Sequence, residues 1–369
     1  MTALSKLAGQ LLSFGFEGTT ASEELRARIG ASEVGGVMIF RPNITSPGQL
    51  AEVVGALRAA APGDLPLLVS IDQEGGLVQR LRAPATEWPP MLAVGSAGDS
   101  ARAALVGRAL GEELAAVGVG WNFAPVLDVH TNPANPVIGN RAFGTSPEVV
   151  SRQALAFWRG LREAGVVGCG KHYPGHGDTM TDSHHELPVV PHDIERLRKV
   201  ELAPFASAAR AGVEAFMTAH VMYPALDPDR PATLSRRIAT EVLRGDLGFR
   251  GVLVSDDLNM KAVAARYSIE ELAVQAIEAG CDHLLARVPE DRQRAAFEAI
   301  VHAAEARSAF RTRVEEAAAR VAALKVACTV PLPAPAAMLP SLLGTPAHKA
   351  LAASFATTTG GETKSPASD

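Results

Sequence analysis

The sequence predicts an α/β fold, a single-domain (β/α)8 barrel of the TIM type, and three observations predict it. Short apolar runs alternate with longer stretches of helical periodicity, which implies parallel strands covered on both faces. Polar motifs follow the apolar runs rather than the helices, as they do where strand carboxyl ends meet at one mouth. Neither G-x-G-x-x-G after the first run nor G-x-x-x-x-G-K-[ST] occurs, so the phosphate-cradling glycines of nucleotide-binding sheets are missing.

The elements follow in order. Residues 11–16, 34–40 and 67–71 are the first three strands, apolar and β-branched, and the third runs into Asp72-Gln-Glu-Gly-Gly. A helix over 99–117, with apolar residues three and four apart, leads to a fourth strand at 119–123 and to Pro125-Val-Leu-Asp128. A helix over 147–164 precedes the fifth strand, 166–169, which Lys171-His172 follows. One helix over 193–211 leads to the sixth strand, 215–218, and His220. The seventh strand, 252–255, meets Asp256-Asp257, and helices at 269–279 and 289–306 flank the eighth at 283–285. Residues 1–328 form the barrel domain. Beyond them Pro331, Pro333, Pro335, Pro340 and Pro346 punctuate a Pro/Ala-rich C-terminal tail, 329–369, whose last dozen residues are expected to be disordered.

Charge and composition narrow the partners. With 35 Lys and Arg against 40 Asp and Glu, a net charge of −5, and no basic run, nucleic acid is not expected. No apolar stretch approaches the roughly 18 to 20 residues that span a bilayer, and Met1-Thr-Ala-Leu-Ser-Lys lacks the form of a secretory leader, so no membrane association and a cytoplasmic location are expected. Cys169, Cys281 and Cys328 lie far apart in apolar segments, the pattern of reduced core thiols. The 5% aromatic content, with three tryptophans, suits a short ligand in a pocket better than a long stacking platform.

Five strand ends carry polar groups, more than packing requires, which places an active site at the mouth. His172, His176, His184, His185 and His192 cluster in one Gly- and Pro-containing loop, where Gly175 and Gly177 would allow motion as a lid. Metal binding is weighed and set aside, because no H-E-x-x-H helix or H-x-H strand end occurs. Acid–base chemistry fits better: Asp182 can accept from one ring nitrogen of His184 and leave the other facing substrate. Asp256 and Asp257 end a buried strand, and because successive strand residues point to opposite sides, only one of them aims at the pocket. Periodicity leaves open which. Asp72, Arg80, Arg141 and Lys171 have the groups that hold sugar hydroxyls and an acyl carbonyl.

The chain resembles glycoside hydrolase family 3, specifically its bacterial single-domain β-N-acetylglucosaminidases, over about residues 7–324. The resemblance rests on Ile71-Asp-Gln-Glu-Gly-Gly with Val78 and Arg80, Phe123-Ala-Pro-Val-Leu-Asp128, Asn140-Arg-Ala-Phe-Gly144 and Lys171-His-Tyr-Pro-Gly-His-Gly-Asp178. Asp182-Ser-His184, Met217-Thr-Ala-His220 and Ser255-Asp-Asp-Leu-Asn-Met260 complete it. It implies Asp256 as nucleophile, His184 assisted by Asp182 as general acid/base, and Asp72, Arg80, Arg141, Lys171 and His172 as the groups that bind terminal N-acetylglucosamine. Leu77 and Asn140 depart from common family residues. The resemblance implies a retaining exo-β-N-acetylglucosaminidase, a β-N-acetylhexosaminidase, acting on GlcNAc-terminated saccharides such as peptidoglycan-derived muropeptides and needing no cofactor. Its rivals are a phosphorylase releasing GlcNAc 1-phosphate, a silent sugar-binding protein, and a zinc hydrolase.

Overall fold

Apolar runs of three to seven residues are too short for stable helices and bury best as strands between helical layers. In the computed structural model, which describes residues 2–181, 183 and 186–355, these runs form a closed barrel. Its strands are β1 (Leu12–Gly15), β2 (Gly36–Ile39), β3 (Leu68–Ile71), β4 (Trp121–Asn122), β5 (Val167–Tyr173), β6 (Ala215–Thr218), β7 (Val252–Asp257) and β8 (His283–Ala286). Each pairs in parallel with the next, and β8 returns to β1 with Leu12 opposite Leu284. The predicted (β/α)8 architecture is therefore the observed one.

Side chains alternate along every strand. Leu68, Trp121, Val167, Cys169, Met217, Val252, Val254 and Leu285 belong to the interior cluster, closed from below by Val321 and Leu324 of the helix Ser308–Ala327. Phe14, Val37, Val69, Leu253 and Leu284 belong to the larger core under the helices. Continuing the inward period by two carries β3 to Asp72, β5 to Lys171, β7 to Asp256 and β8 to Arg287, all of which line one cavity at the mouth. The floor is not wholly apolar, since Ser13 and His283 are buried in it. His283 shares its Nε2 with Ser13 Oγ at 2.7 Å and its Nδ1 with the Gln10 carbonyl at 3.1 Å, and burial, then Lys325, holds it down to about 3.

The helices start where the sequence supplies caps. Ser146 accepts from Val149 N–H ahead of Pro147, and Ser268 forms a capping box with Glu271. The helix Pro147–Glu163 then buries Phe157, Trp158 and Leu161, each worth about 2 kcal/mol.

Three expectations change. The helix expected over 193–211 is two, Ile194–Lys199 and Ala203–Ala211, because Pro204 has no N–H and fits only the opening turn of a helix. The fifth strand does not stop at Cys169 but runs to Tyr173, so Lys171 and His172 belong to it. The seventh likewise includes Asp256 and Asp257. Gly175 and Gly177 also do more than loosen a loop: a Cβ on Gly177 would sit 1.9 Å from the Val129 carbonyl oxygen and one on Gly175 2.9 Å from Glu201 Cβ. They fit this stretch tightly to the barrel.

The residues after Ala327 pack onto the barrel. Thr329 N–H bonds to the Gly165 carbonyl and Ala334 N–H to that of Ala116, and Val330, Leu339, Leu343 and Phe355 are buried. Glu113 fastens this segment, accepting from Gly344 N–H at 2.8 Å and facing His348 Nδ1 at 3.1 Å. The last dozen residues, expected to be disordered, fall within 356–369, which lie outside the described residues. Cys169, Cys281 and Cys328 are free thiols, and burial raises all three, Cys281 to about 12.

Candidate active site

Beyond β3 the chain turns back on itself as a small hairpin, Gln73–Gly75 with Val78–Gln79. Gly75 and Gly76 at its turn adopt φ of 114° and 61°, and a Cβ on Gly75 would stand 2.6 Å from the Pro89 carbonyl, so glycine is required there. Gln73 locks the hairpin, accepting from Arg80 N–H at 2.8 Å and Leu81 N–H at 3.0 Å, while its own N–H bonds to Asn122 Oδ1. This holds Asp72, Glu74 and Arg80 over the barrel mouth.

A buried ion network forms there. Lys171 Nζ lies 2.6 Å from Asp72 Oδ1 and 2.6 Å from Glu74 Oε1. Arg141 makes a fork to Glu74, with Nη2 2.8 Å from Oε1 and Nε 2.9 Å from Oε2. Arg80 Nη2 stands 3.6 Å from Asp72 Oδ2, and its Nε is buried without a partner. Burial would raise the Glu74 carboxyl, but Arg141 and Lys171 override it and hold it well below the usual range. Burial likewise opposes the Lys171 ammonium, and Asp72 and Glu74 keep it charged.

Asp128 organises the histidines. Fully buried, it receives His172 N–H at 3.1 Å, the His172 ring at Nδ1 at 2.7 Å, and His176 N–H at 2.6 Å. Burial works against its charge, yet His172 and His176 lower it. With Nδ1 donating to Asp128, His172 Nε2 is left as an acceptor, 3.5 Å from Arg141 Nη2. His176 is spent on structure: its ring bonds to Thr179 Oγ1 and Ser183 Oγ, and burial and then His172 push it down to about 4. His192 pairs with Asp178, whose other oxygen accepts from Thr131 Oγ1 at 2.7 Å, so it ties the loop to the barrel.

Asp256 and Asp257 divide the space. Asp256 lies on the inward period of β7 with Val252 and Val254, and its Oδ1 accepts from Asp257 N–H at 2.8 Å. Asp257 instead turns its Oδ1 to Arg287 N–H at 3.0 Å and Asn259 N–H at 2.9 Å. Burial, with the charge of Asp256 beside it, raises Asp257 to about 6 despite those two bonds. His220 fastens this end, its Nε2 3.0 Å from the Asp257 carbonyl and its Nδ1 2.7 Å from Thr233 Oγ1.

Of the residues singled out in the sequence, Asp72, Arg80, Arg141, Lys171, His172 and Asp256 come together on one cavity. Asp182 and His184 lie outside the described residues. Sequence reasoning missed Glu74 and Asp128 as parts of the site. Glu74 stands two residues beyond Asp72, and that period-two spacing was its signal; Asp128 ends a motif already noted, but its partners are 44 and 48 residues away. A planar fork, an ammonium, a carboxylate and a fixed imidazole acceptor on one wall suit several vicinal hydroxyls of one small polar ring.

Beta-hexosaminidase A of Pseudoalteromonas piscicida is 37% identical over 368 residues, covering 92% of this chain and 60% of that protein; this chain thus spans less than two thirds of that relative. Beta-hexosaminidase of Nitrosomonas eutropha is 41% identical over 274 residues, 73% of this chain and 78% of the relative. The solved family 3 beta-N-acetylglucosaminidase from Paenibacillus sp. str. FPU-7 superposes with a TM-score of 0.89 at 42% identity, over 96% of this chain and 68% of that one. NagZ from Neisseria gonorrhoeae in complex with N-trifluoroacetyl-D-glucosamine gives a TM-score of 0.77 at 31% identity, over 94% and 97%. The family model of the glycosyl hydrolase family 3 N terminal domain matches residues 3–324, and the chain belongs to that family.

Proposed function

We propose that the protein is a retaining exo-β-N-acetylglucosaminidase that removes terminal GlcNAc, with peptidoglycan-derived muropeptides as its substrates. The observation that carries this reading is the position of Asp256, inward on β7 and on the same cavity as the Asp72–Lys171–Glu74–Arg141 network. The names of the relatives support the sugar.

The chemistry is a double displacement. Asp256 attacks the anomeric carbon while protonated His184, oriented by Asp182, gives its proton to the departing oxygen. Water, deprotonated by the now neutral His184, then attacks the anomeric carbon of the glycosyl-Asp256 ester, and the β configuration is retained. Asp72 and His172 accept from sugar hydroxyls, and Lys171, Arg141 and Arg80 donate to hydroxyls and to the acetamido carbonyl. Asp257 stays out of the chemistry, occupied with backbone amides. Free core thiols favour a reducing compartment, which supports the cytoplasm, and no described helix is long and apolar enough to cross a membrane.

The test is release of p-nitrophenol from its β-N-acetylglucosaminide and its β-glucoside, each with and without phosphate, by wild-type protein and Asp256→Ala. Turnover of the N-acetyl substrate that needs Asp256 and ignores phosphate is expected. Stimulation by phosphate would make the protein a phosphorylase, and a silent, folded protein would leave sugar binding alone.

A further inference from the structure

The backbone pairing of β6 with β7 has Met217 opposite Val254 as its last register, two residues short of Asp256. The strand end that carries Asp256 therefore needs other support, and a run of side chains supplies it. Thr218 follows the inward-facing Met217 and so lies on the outward period of β6; its Oγ1 accepts from Asp256 N–H at 3.4 Å. Behind it stands Thr233, in the short turn Ala232–Leu234, with its Oγ1 2.9 Å from Thr218 Oγ1 and 2.7 Å from His220 Nδ1. The His220 ring completes the run, with Nε2 3.0 Å from the Asp257 carbonyl. All three side chains are fully buried, and none of them lines the cavity.

The acceptors fix the protons. A carbonyl oxygen only accepts, so His220 Nε2 carries the hydrogen, and in the neutral ring Nδ1 is the acceptor. Thr233 then donates to Nδ1 over 2.7 Å in preference to its 3.2 Å contact with the Ala219 carbonyl. With that proton spent, Thr233 receives the proton of Thr218, and Thr218 offers a lone pair to the Asp256 amide. Every bond runs the same way, from the Asp256 N–H to the Asp257 carbonyl, and aligned bonds of this kind strengthen one another. The two ends bracket the Asp256–Asp257 peptide, whose N–H bonds to Asp256 Oδ1 at 2.8 Å. Whatever holds that peptide also sets where the Asp256 carboxylate points.

We propose that Thr233 is a positioning residue for Asp256: its hydroxyl, at the centre of the Thr218–Thr233–His220 run, holds the peptide that aims the carboxylate at the anomeric carbon. The inference rests on the reading of Asp256 as nucleophile and adds a residue that acts on it only through others.

The test is kinetic. Thr233→Val keeps the shape of the side chain without its hydroxyl, and Thr233→Ser keeps the hydroxyl. On p-nitrophenyl β-N-acetylglucosaminide, Thr233→Val should lower kcat about tenfold, the scale of one lost buried hydrogen bond, and Thr233→Ser should recover most of it. The inhibition constant of free GlcNAc, which reads the wall on β3 and β5, should stay within about twofold in both variants, because misplaced reacting groups slow the chemistry rather than the binding. Thr218→Val opens the next link and should cost a similar factor in kcat; the two changes together should cost little more than either alone, since they break one run. An unchanged kcat in Thr233→Val, an inhibition constant that rises as kcat falls, or additive losses in the double variant would overturn the inference and leave Asp256 its role. Should Thr233→Val not fold, Thr218→Val decides by the same comparison of kcat with the inhibition constant. Wild-type turnover by Asp256→Ala would overturn the functional reading and this inference with it.

Discussion

Glu74→Gln tests the network that shapes the sugar wall. Glu74 is 1% exposed and holds Arg141 through two bonds and Lys171 through one. The amide keeps the shape and one acceptor but removes the charge that both cations need, and turns an N–H toward one of them. Breaking a buried pair by removing one partner costs about 3–5 kcal/mol, and we expect the lower end, about 3 kcal/mol, because the isostere leaves no cavity. With roughly 2 cal/mol/K of unfolding entropy per residue, that lowers Tm by about 4 °C in a chain of this length. The pH dependence follows from the direction of the shift. The folded carboxyl lies below its ordinary 4.5, so its contribution is full above that pH and declines as pH falls below it. The gap in Tm between wild type and variant should therefore be widest near pH 7 and narrow under pH 4.5. Circular dichroism melts at both pH values, with kcat/KM on the aryl glycoside, check it. Equal Tm values at pH 7 with unchanged kcat/KM would refute the reasoning.

Further expectations concern the rest of the mouth. Asp128→Asn should lower kcat/KM at least about tenfold, because His172 loses the charged partner that fixes its tautomer; a pH–rate profile on a folded variant checks it. Asp257 is raised to about 6 from 3.8, so ionising it costs the folded state stability as pH rises between those values. Asp257→Asn should then gain on wild type by on the order of 2 kcal/mol at pH 7.5 relative to pH 4, as denaturant titrations would report. Gly177→Ala would drive a Cβ to 1.9 Å from the Val129 carbonyl and should cost about 1–3 kcal/mol with a loss of activity; an unchanged melt would mean that the contact yields freely.

The barrel was legible because its signal is local. Apolar runs and capped helices recur with a period that sequence displays directly, and every observed barrel strand overlaps an expected one. The strand ends were less legible: Lys171, His172, Asp256 and Asp257 are charged or polar, and only their pairing across the barrel shows that the strand continues. The split at Val200–Leu202 followed from Pro204, a breaker visible in the sequence. At the site, the inward period of β7 selects Asp256 over Asp257 once its register is known, a choice that sequence alternation could pose but not make. The Glu74–Arg141 fork joins residues 67 apart, and nothing local announces such a contact. Val330, Leu339, Leu343 and Phe355 are too sparse to show a period, so the packing of the segment after Ala327 was hidden among prolines.

The most direct test of the account is to trap the glycosyl-enzyme. Wild-type protein would be incubated with a 5-fluoro-β-N-acetylglucosaminyl fluoride, which forms the covalent intermediate faster than water removes it, then digested and mapped by mass spectrometry. The account predicts one added glycosyl group, carried as an ester on Asp256, and no label in Asp256→Asn. A label on Asp257 or on any other residue, or steady turnover of the aryl glycoside by Asp256→Asn, would contradict it.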